Sequence, residues 1–209
     1  MAPPLLEVRG LQKSYWRGFP RRTRSFHLQA DFTIAAPAVI GLMGPNGSGK
    51  TTLFELITGS NRPSAGQVLC GGKDIHQVRA DERDRLAIHY HQSYQVRRFR
   101  RVKPRFMMQR ADSDYPLVHL FDEPQFNTQD GYIGFMLEFF ARLRGEGRLV
   151  FLCLHPNEAF HLEILQEICE RFIFVQDGRL THAASYGELL SLSPVRGYLG
   201  GLLASGGVA

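Results

Sequence analysis

The octapeptide from Gly44 to Thr51 constrains this chain more than any other stretch of its sequence. Its letters, GPNGSGKT, fit the pattern G-x-x-x-x-G-K-[ST], in which a glycine-rich loop wraps around phosphate groups. The apolar run 38–43 before it predicts a short buried strand, and residues 51–58 after it predict an amphipathic helix. The N–H groups of such a loop and the positive end of the helix dipole both favour bound phosphate. The sequence therefore predicts a strand–loop–helix unit that binds a nucleotide, with Lys50 reaching its β- and γ-phosphates.

The remainder of the chain predicts an α/β fold around this unit. Apolar runs that indicate strands alternate with amphipathic segments that indicate helices, and Asp177-Gly178 between two strand-like runs indicates a hairpin. We expect a core sheet with helices on both sides, together with a small antiparallel β-subdomain. The predicted subdomain strands come from the first 35 residues and from 67–75. The later predicted strands are 117–121, 148–154 and 172–175. The predicted helices are 131–144, 157–171 (capped by Asn157) and 186–192.

Two of the predicted buried strands end in residues that can act chemically. Strand 117–121 delivers Asp122 and Glu123, and strand 148–154 delivers His155. A carboxylate such as Asp122 can bind Mg²⁺ together with the Thr51 hydroxyl, and a second carboxylate, Glu123, can polarise an attacking water. The alternatives are a structural turn for Asp122–Glu123 and a structural histidine for His155.

Two further candidates rest on weaker patterns. Gln92 ends a strand-like run at 87–91, where its amide can reach Mg²⁺ or water. Tyr15 or Trp16 can stack on a nucleotide base, although an aromatic residue near a first strand is more often part of the core.

Composition places the chain among ordinary globular proteins. Its 209 residues suffice for one core, or for one core and a small subdomain. No apolar stretch reaches the roughly 18 residues that span a bilayer, and Met1–Pro4 does not begin a signal peptide, so we expect a cytosolic protein. The three cysteines lie in apolar runs without a C-x-x-C pair, which favours reduced core thiols.

Positive charge is concentrated in two parts of the chain. Residues 79–110 hold ten Arg or Lys residues against three acids, and residues 1–30 hold six against one. Six of the nine residues in 97–105 are basic. Such asymmetry predicts a negatively charged partner.

In motifs and in their order, the chain resembles the ATP-binding cassette (ABC) family over nearly its whole length. GPNGSGKT resembles the Walker A loop, and 117–123 resembles Walker B with Glu123 at the catalytic glutamate. Gln92 falls at the position of the Q-loop glutamine and His155 at that of the switch histidine. Tyr15 falls at the position of the adenine-stacking aromatic. The resemblance implies MgATP as ligand and a single nucleotide-binding domain over 1–199. The resemblance implies that Thr51, Gln92 and Asp122 bind the metal and that Glu123, His155 and Gln92 are catalytic. It implies these nucleotide contacts: Tyr15, Gly44, Pro45, Asn46, Gly47, Ser48, Gly49, Lys50, Thr51 and Thr52.

The chain departs from the family between Gln92 and Asp122. Only 30 positions separate these residues, too few for the family's helical subdomain, and the Leu-Ser-Gly-Gly-Gln signature is absent. We therefore predict a reduced helical region at 93–115. In the family, the signature of one subunit completes the ATP site of the other, so a symmetric dimer of this chain would lack that contribution.

Three interpretations of the basic stretch 97–105 remain open. The first is a solvated loop. The second is a docking surface, whose partner would be an acidic protein, a membrane surface or nucleic acid. The third is that an arginine of this stretch replaces the signature at a partner's γ-phosphate.

The resemblance favours the ATP-binding subunit of an ABC-type transport system, peripheral on the inner face of the membrane and paired with a second nucleotide-binding subunit and a membrane subunit. We expect slow ATP hydrolysis without a partner. The alternatives are a non-transport ATP switch or nucleic-acid-linked ATPase that uses 97–105, and the degenerate half of a heterodimer. A tail without regular structure is expected at 200–209 because this segment is rich in Gly, Ala and Ser.

Overall fold

A computed structural model of the chain describes residues 2–91, 115–124 and 132–205. Two sheets and six helices make up the regular structure of these residues. Gln92, the basic stretch 97–105 and all but the last residue of the predicted helical region 93–115 lie outside the described residues. No described helix is both long and apolar enough to cross a membrane.

The first sheet is the antiparallel β-subdomain that the sequence predicts. Its strand order is β2-β1-β4-β5. The strand β1 continues through Tyr15 and Trp16, which pair with Phe26 and Arg24 of β2. The strand bounds are β1 Leu6–Arg17, β2 Thr23–Ile34, β4 Ala65–Cys70 and β5 Lys73–Asp74.

The second sheet has the order β10-β9-β3-β8-β7-β6 and is parallel from β9 to β6. The strand β10 joins β9 through an antiparallel hairpin at Asp177-Gly178, as predicted. Strands β3, β7 and β8 are buried at every position, which explains their continuous apolar runs. The bounds are β3 Val39–Met43, β6 Ala87–His91, β7 Val118–Asp122, β8 Leu149–Cys153, β9 Arg171–Gln176 and β10 Arg179–Ala183.

The parallel sheet buries both of its faces, because successive side chains of a strand point to opposite sides. Ile40 and Leu42 pack with α1 and the antiparallel sheet, whereas Val39 and Met43 pack with the later helices. Helices thus cover both faces, as predicted. They are α1 Lys50–Ile57, α2 Ala80–Leu86, α3 Tyr132–Gly145, α4 Ala159–Ile168, α5 Tyr186–Ser191 and α6 Ser193–Ser205.

The helices differ from the prediction in four respects. Helix α4 begins after Glu158 rather than at an Asn157 cap, and it ends before Arg171, which starts β9. The helix α2 has no counterpart in the prediction. The helix α6 continues through Ser205, so residues 200–205 are helical where we expected an irregular tail. Buried Val195 and Leu199 explain this helix, since their packing against the core outweighs the low helix propensity of its glycines.

Candidate functional site

The glycine-rich loop follows β3 and leads into α1, as the motif predicts. Gly44 and Gly49 both have positive φ, at 151° and 110°. A Cβ atom at Gly44 would lie 2.0 Å from the Val175 carbonyl oxygen, and one at Gly49 would lie 2.7 Å from a ring carbon of Phe26. Only glycine fits either position, because the conformation and the lack of space each exclude a side chain.

Lys50 is buried at the centre of the loop. Its ammonium group donates to the carbonyl oxygens of Gly44 at 2.7 Å and Pro45 at 3.0 Å. Nearby, the Ser48 hydroxyl is buried without a hydrogen-bond partner among the described residues. A buried hydroxyl without a partner is costly unless a ligand supplies one. The loop therefore holds a buried cation beside an unsatisfied polar group, an arrangement suited to an anion.

Thr51 and Asp122 meet where α1 begins and β7 ends. The Thr51 hydroxyl donates to Oδ2 of Asp122 at 3.1 Å, although 71 positions separate the two residues. A hydroxyl and a carboxylate at this distance provide the oxygen ligands that Mg²⁺ prefers. The pair therefore fits the metal-binding role that the sequence suggests for both residues.

His89 contacts the same carboxylate, and sequence analysis missed it. Its Nε2 lies 3.3 Å from Asp122 Oδ2, and its ring makes an edge contact with Phe54 of α1. Burial alone would raise the pKa of Asp122. A hydrogen bond and charge from His89, together with hydrogen bonds from Thr51 and Cys153, outweigh burial and hold the pKa of Asp122 below its usual value. Asp122 is therefore kept as a carboxylate.

Glu123 adopts a backbone conformation that is rare for its residue type, with φ of 49°. Its N–H donates to the Cys153 carbonyl at 3.0 Å, which fastens the end of β7 to β8. Backbone strain of this kind collects at functional sites, where surrounding contacts maintain it.

A cavity of about 570 Å³ connects the loop with the antiparallel sheet. It brings together most of the nucleotide-site residues that the sequence suggests, and adds three from β1 and β2 that it does not: Arg17, Ser25 and Phe26. The other lining residues are Tyr15, Trp16, Asn46, Gly47, Gly49, Lys50, Thr51, Thr52, Asp122 and Glu123.

Tyr15 lines this cavity and contacts two polar side chains. The Asn61 side-chain amide donates to its hydroxyl at 2.8 Å, and the Lys13 ammonium lies 5.2 Å from its ring centroid. Tyr15 is 37% exposed, so part of its side chain is accessible to a ligand.

His155 is not among the cavity-lining residues. It follows β8, whose end is hydrogen-bonded to β3 through Leu154 and Leu42 and to β7 through Glu123. Its Nδ1 lies 2.7 Å from the hydroxyl of Tyr198 on α6, a contact that sequence analysis did not foresee. The structure thus places His155 at the edge of the sheet where the loop and Glu123 lie, with one nitrogen already engaged.

Comparison with known proteins agrees with this geometry. The ABC transporter family model matches residues 28–130. The ribose import ATP-binding protein RbsA of Pseudomonas putida is 26% identical over 230 residues, covering 86% of this chain and 43% of RbsA. The cytochrome c biogenesis ATP-binding export protein CcmA of Escherichia coli K12 is 46% identical over 59 residues, covering 28% of each chain. The chain therefore spans less than half the length of either relative in these matches.

Solved structures share the fold at low sequence identity. A nucleotide-free ATP-binding cassette from an ABC transporter has a TM-score of 0.69 and 15% identity, covering 94% of this chain and 98% of that one. The ADP conformation of the cassette MJ1267 has a TM-score of 0.69 and 16% identity, covering 95% and 99%. The dimeric cassette MJ0796 has a TM-score of 0.63 and 15% identity, covering 86% and 98%. The chain therefore has the ABC cassette fold.

Proposed function

We propose that this chain is the ATP-binding subunit of an ABC-type transport system. The carrying observation is the juxtaposition, at one cavity, of a buried Lys50 in a phosphate-type loop with the Thr51–Asp122 pair. The loop and Lys50 would bind the phosphates, and Tyr15 would stack on the base. Mg²⁺ held by Thr51 and Asp122 would neutralise phosphate charge, with Gln92 as a further ligand in the proposal.

Hydrolysis in this proposal depends on Glu123 and His155. Glu123 lines the cavity beside Asp122, where a carboxylate can accept a proton from an attacking water. His155 would donate a hydrogen bond to the terminal phosphate. We propose that turnover is slow or requires a partner, because the chain carries no Leu-Ser-Gly-Gly-Gln sequence to complete a second subunit's site.

The proposed partners are a second nucleotide-binding subunit and a membrane permease subunit, which would place the chain on the inner face of the membrane. Support comes from the ABC cassette fold, from the dimer formed by MJ0796 and from the fused permease in the name of a relative, the macrolide export ATP-binding/permease protein MacB 2 of Aeromonas hydrophila. RbsA and CcmA are named for different transport tasks, so we propose no transported substrate.

Nucleotide binding is tested by the Lys50→Ala variant. Loss of the buried ammonium should weaken ATP binding, measured by calorimetry, at least about tenfold, since a charge-assisted hydrogen bond contributes roughly 1.5–3 kcal/mol. Lys73→Ala is the matched control, because Lys73 pairs with Glu82 at the surface and does not line the cavity. Equal affinities in the two variants would refute the assignment of the loop.

The transport role is tested by affinity purification from the native host. Recovery of a membrane permease subunit, with ATPase activity that rises in the complex and is lost in Glu123→Gln, is the expected result. Salt-sensitive binding to DNA or RNA without a membrane partner would instead support the nucleic-acid-linked alternative.

A further inference from the structure

Tyr198 connects the last helix of the described chain with His155, a residue that the sequence suggests for the site. Tyr198 of α6 lies against His155, with 2.7 Å between its hydroxyl oxygen and Nδ1 and 5.9 Å between the two ring centroids. This is the hydrogen bond that the structure gives for the His155 ring. The other ring nitrogen, Nε2, has no protein partner among the described residues.

Packing fixes Tyr198 in this position. Val195 and Leu199, which flank it on the helix, are 0% and 1% exposed, and its ring contacts Phe174 of β9 at 5.7 Å between centroids. The helix therefore cannot carry Tyr198 away from His155 without exposing buried apolar side chains, which costs free energy. The packing of α6 against the core therefore holds Tyr198 in contact with His155.

The partners of the Tyr198 hydroxyl favour one position for the proton of His155. Burial raises the pKa of Tyr198 to about 12, and the neighbouring Cys153 and Glu123 act in the same direction. The phenol therefore keeps its proton, and Nδ1 of His155 is the acceptor that the structure gives for it among the described residues. A neutral imidazole that accepts at Nδ1 carries its own proton on Nε2.

We propose that Tyr198 is a positioning residue that holds His155 as the Nε2–H tautomer and aims this donor at the terminal phosphate of the bound nucleotide. The proposal rests on the proposed function, since it assumes a nucleoside triphosphate in the cavity. It makes Tyr198 of α6 a support for His155.

The tautomer is tested without nucleotide by two-dimensional nitrogen-15 NMR of histidine-labelled protein. The unaltered chain should show His155 protonated at Nε2, and Tyr198→Phe should show exchange between both tautomers. Tyr186→Phe is the matched control: Tyr186 also packs on a core phenylalanine, Phe172, but has no hydrogen bond to His155. An unchanged His155 signal in Tyr198→Phe would overturn the proposal.

The functional consequence is tested by comparing ATP and ADP affinities. Tyr198→Phe should reduce the preference for ATP about two- to tenfold, the net contribution of one hydrogen bond, while ADP affinity stays constant. In a His155→Ala background the same substitution should have no further effect. An equal loss for ATP and ADP, or a full additional loss in His155→Ala, would show a general structural role and overturn the proposal. If the unaltered chain bound no ATP, the proposed function would be refuted, and the tautomer would still decide the role of Tyr198.

Discussion

Buried His119 gives the fold a stability that depends on pH. It lies on β7 with 0% exposure; its Nδ1 is 3.1 Å from the Tyr90 hydroxyl and its Nε2 is 3.0 Å from the Pro116 carbonyl oxygen. Burial lowers its pKa from 6.5 to about 3 and outweighs the hydrogen bond to Pro116. The folded chain therefore keeps His119 neutral at pH values where the unfolded chain protonates it.

The sign and size of the effect follow from this difference. Because the pKa is lower in the folded state, the unfolded state binds more protons below pH 6.5, so the stability is complete above that pH and declines as the pH falls toward 3. Each pKa unit is worth about 1.36 kcal/mol. At pH 5 the loss should be about 2 kcal/mol relative to pH 7.5.

Urea unfolding of the unaltered chain and of His119→Gln isolates this contribution. Circular dichroism is the suitable signal, because the single tryptophan, Trp16, is 57% exposed and reports weakly on the core. The variant should be less stable at pH 7.5, since glutamine disturbs a packed aromatic site, but its stability should fall about 2 kcal/mol less between pH 7.5 and 5. Parallel curves over that interval would refute the argument.

Two further predictions concern backbone conformation at the site. Gly44→Ala should lower the ATP affinity more than Gly47→Ala, as measured by nucleotide titration of both variants. Both positions have positive φ, but a Cβ atom at Gly44 would lie 2.0 Å from the Val175 carbonyl oxygen, whereas one at Gly47 would meet no described atom within 4 Å. Equal losses would mean that the contact with Val175 does not restrain the loop. Glu123→Gly should unfold with a free energy about 0.5–1 kcal/mol higher than Glu123→Gln, since glycine adopts the φ of 49° without strain. Denaturant unfolding checks this, and a less stable glycine variant would contradict it.

The parts of the site that could be predicted are those with strong local patterns. The loop from Gly44 to Thr51 needs particular residue types at adjacent positions, so its strand and helix are visible in the sequence. Asp122 and Glu123 follow an apolar run long enough to mark a buried strand. Because the carboxyl ends of parallel strands meet at one edge of a sheet, their approach to the loop follows from the fold.

The parts that could not be predicted depend on contacts distant in the chain. His89 is one of eight histidines in the chain, and no motif marks its strand in the sequence. The pairing of β6 with β7 brings it to Asp122. Tyr198 belongs to a segment whose glycines predict no helix, and only burial of Val195 and Leu199 makes it helical. No local pattern carries either contact.

The most direct test of the account is the Mg²⁺ dependence of ATP binding. In Thr51→Ala, the affinity measured by calorimetry should lose most of the gain that Mg²⁺ gives the unaltered chain, because the hydroxyl 3.1 Å from Asp122 is a proposed metal ligand. Thr58→Ala is the control, since the hydrogen bonds that the structure gives for the Thr58 hydroxyl lie within and just beyond the end of α1. A Mg²⁺-dependent affinity that falls in Thr51→Ala and not in Thr58→Ala is the predicted result. An unaltered chain that binds no ATP, or a Mg²⁺ dependence that Thr51→Ala leaves intact, would contradict the proposed site.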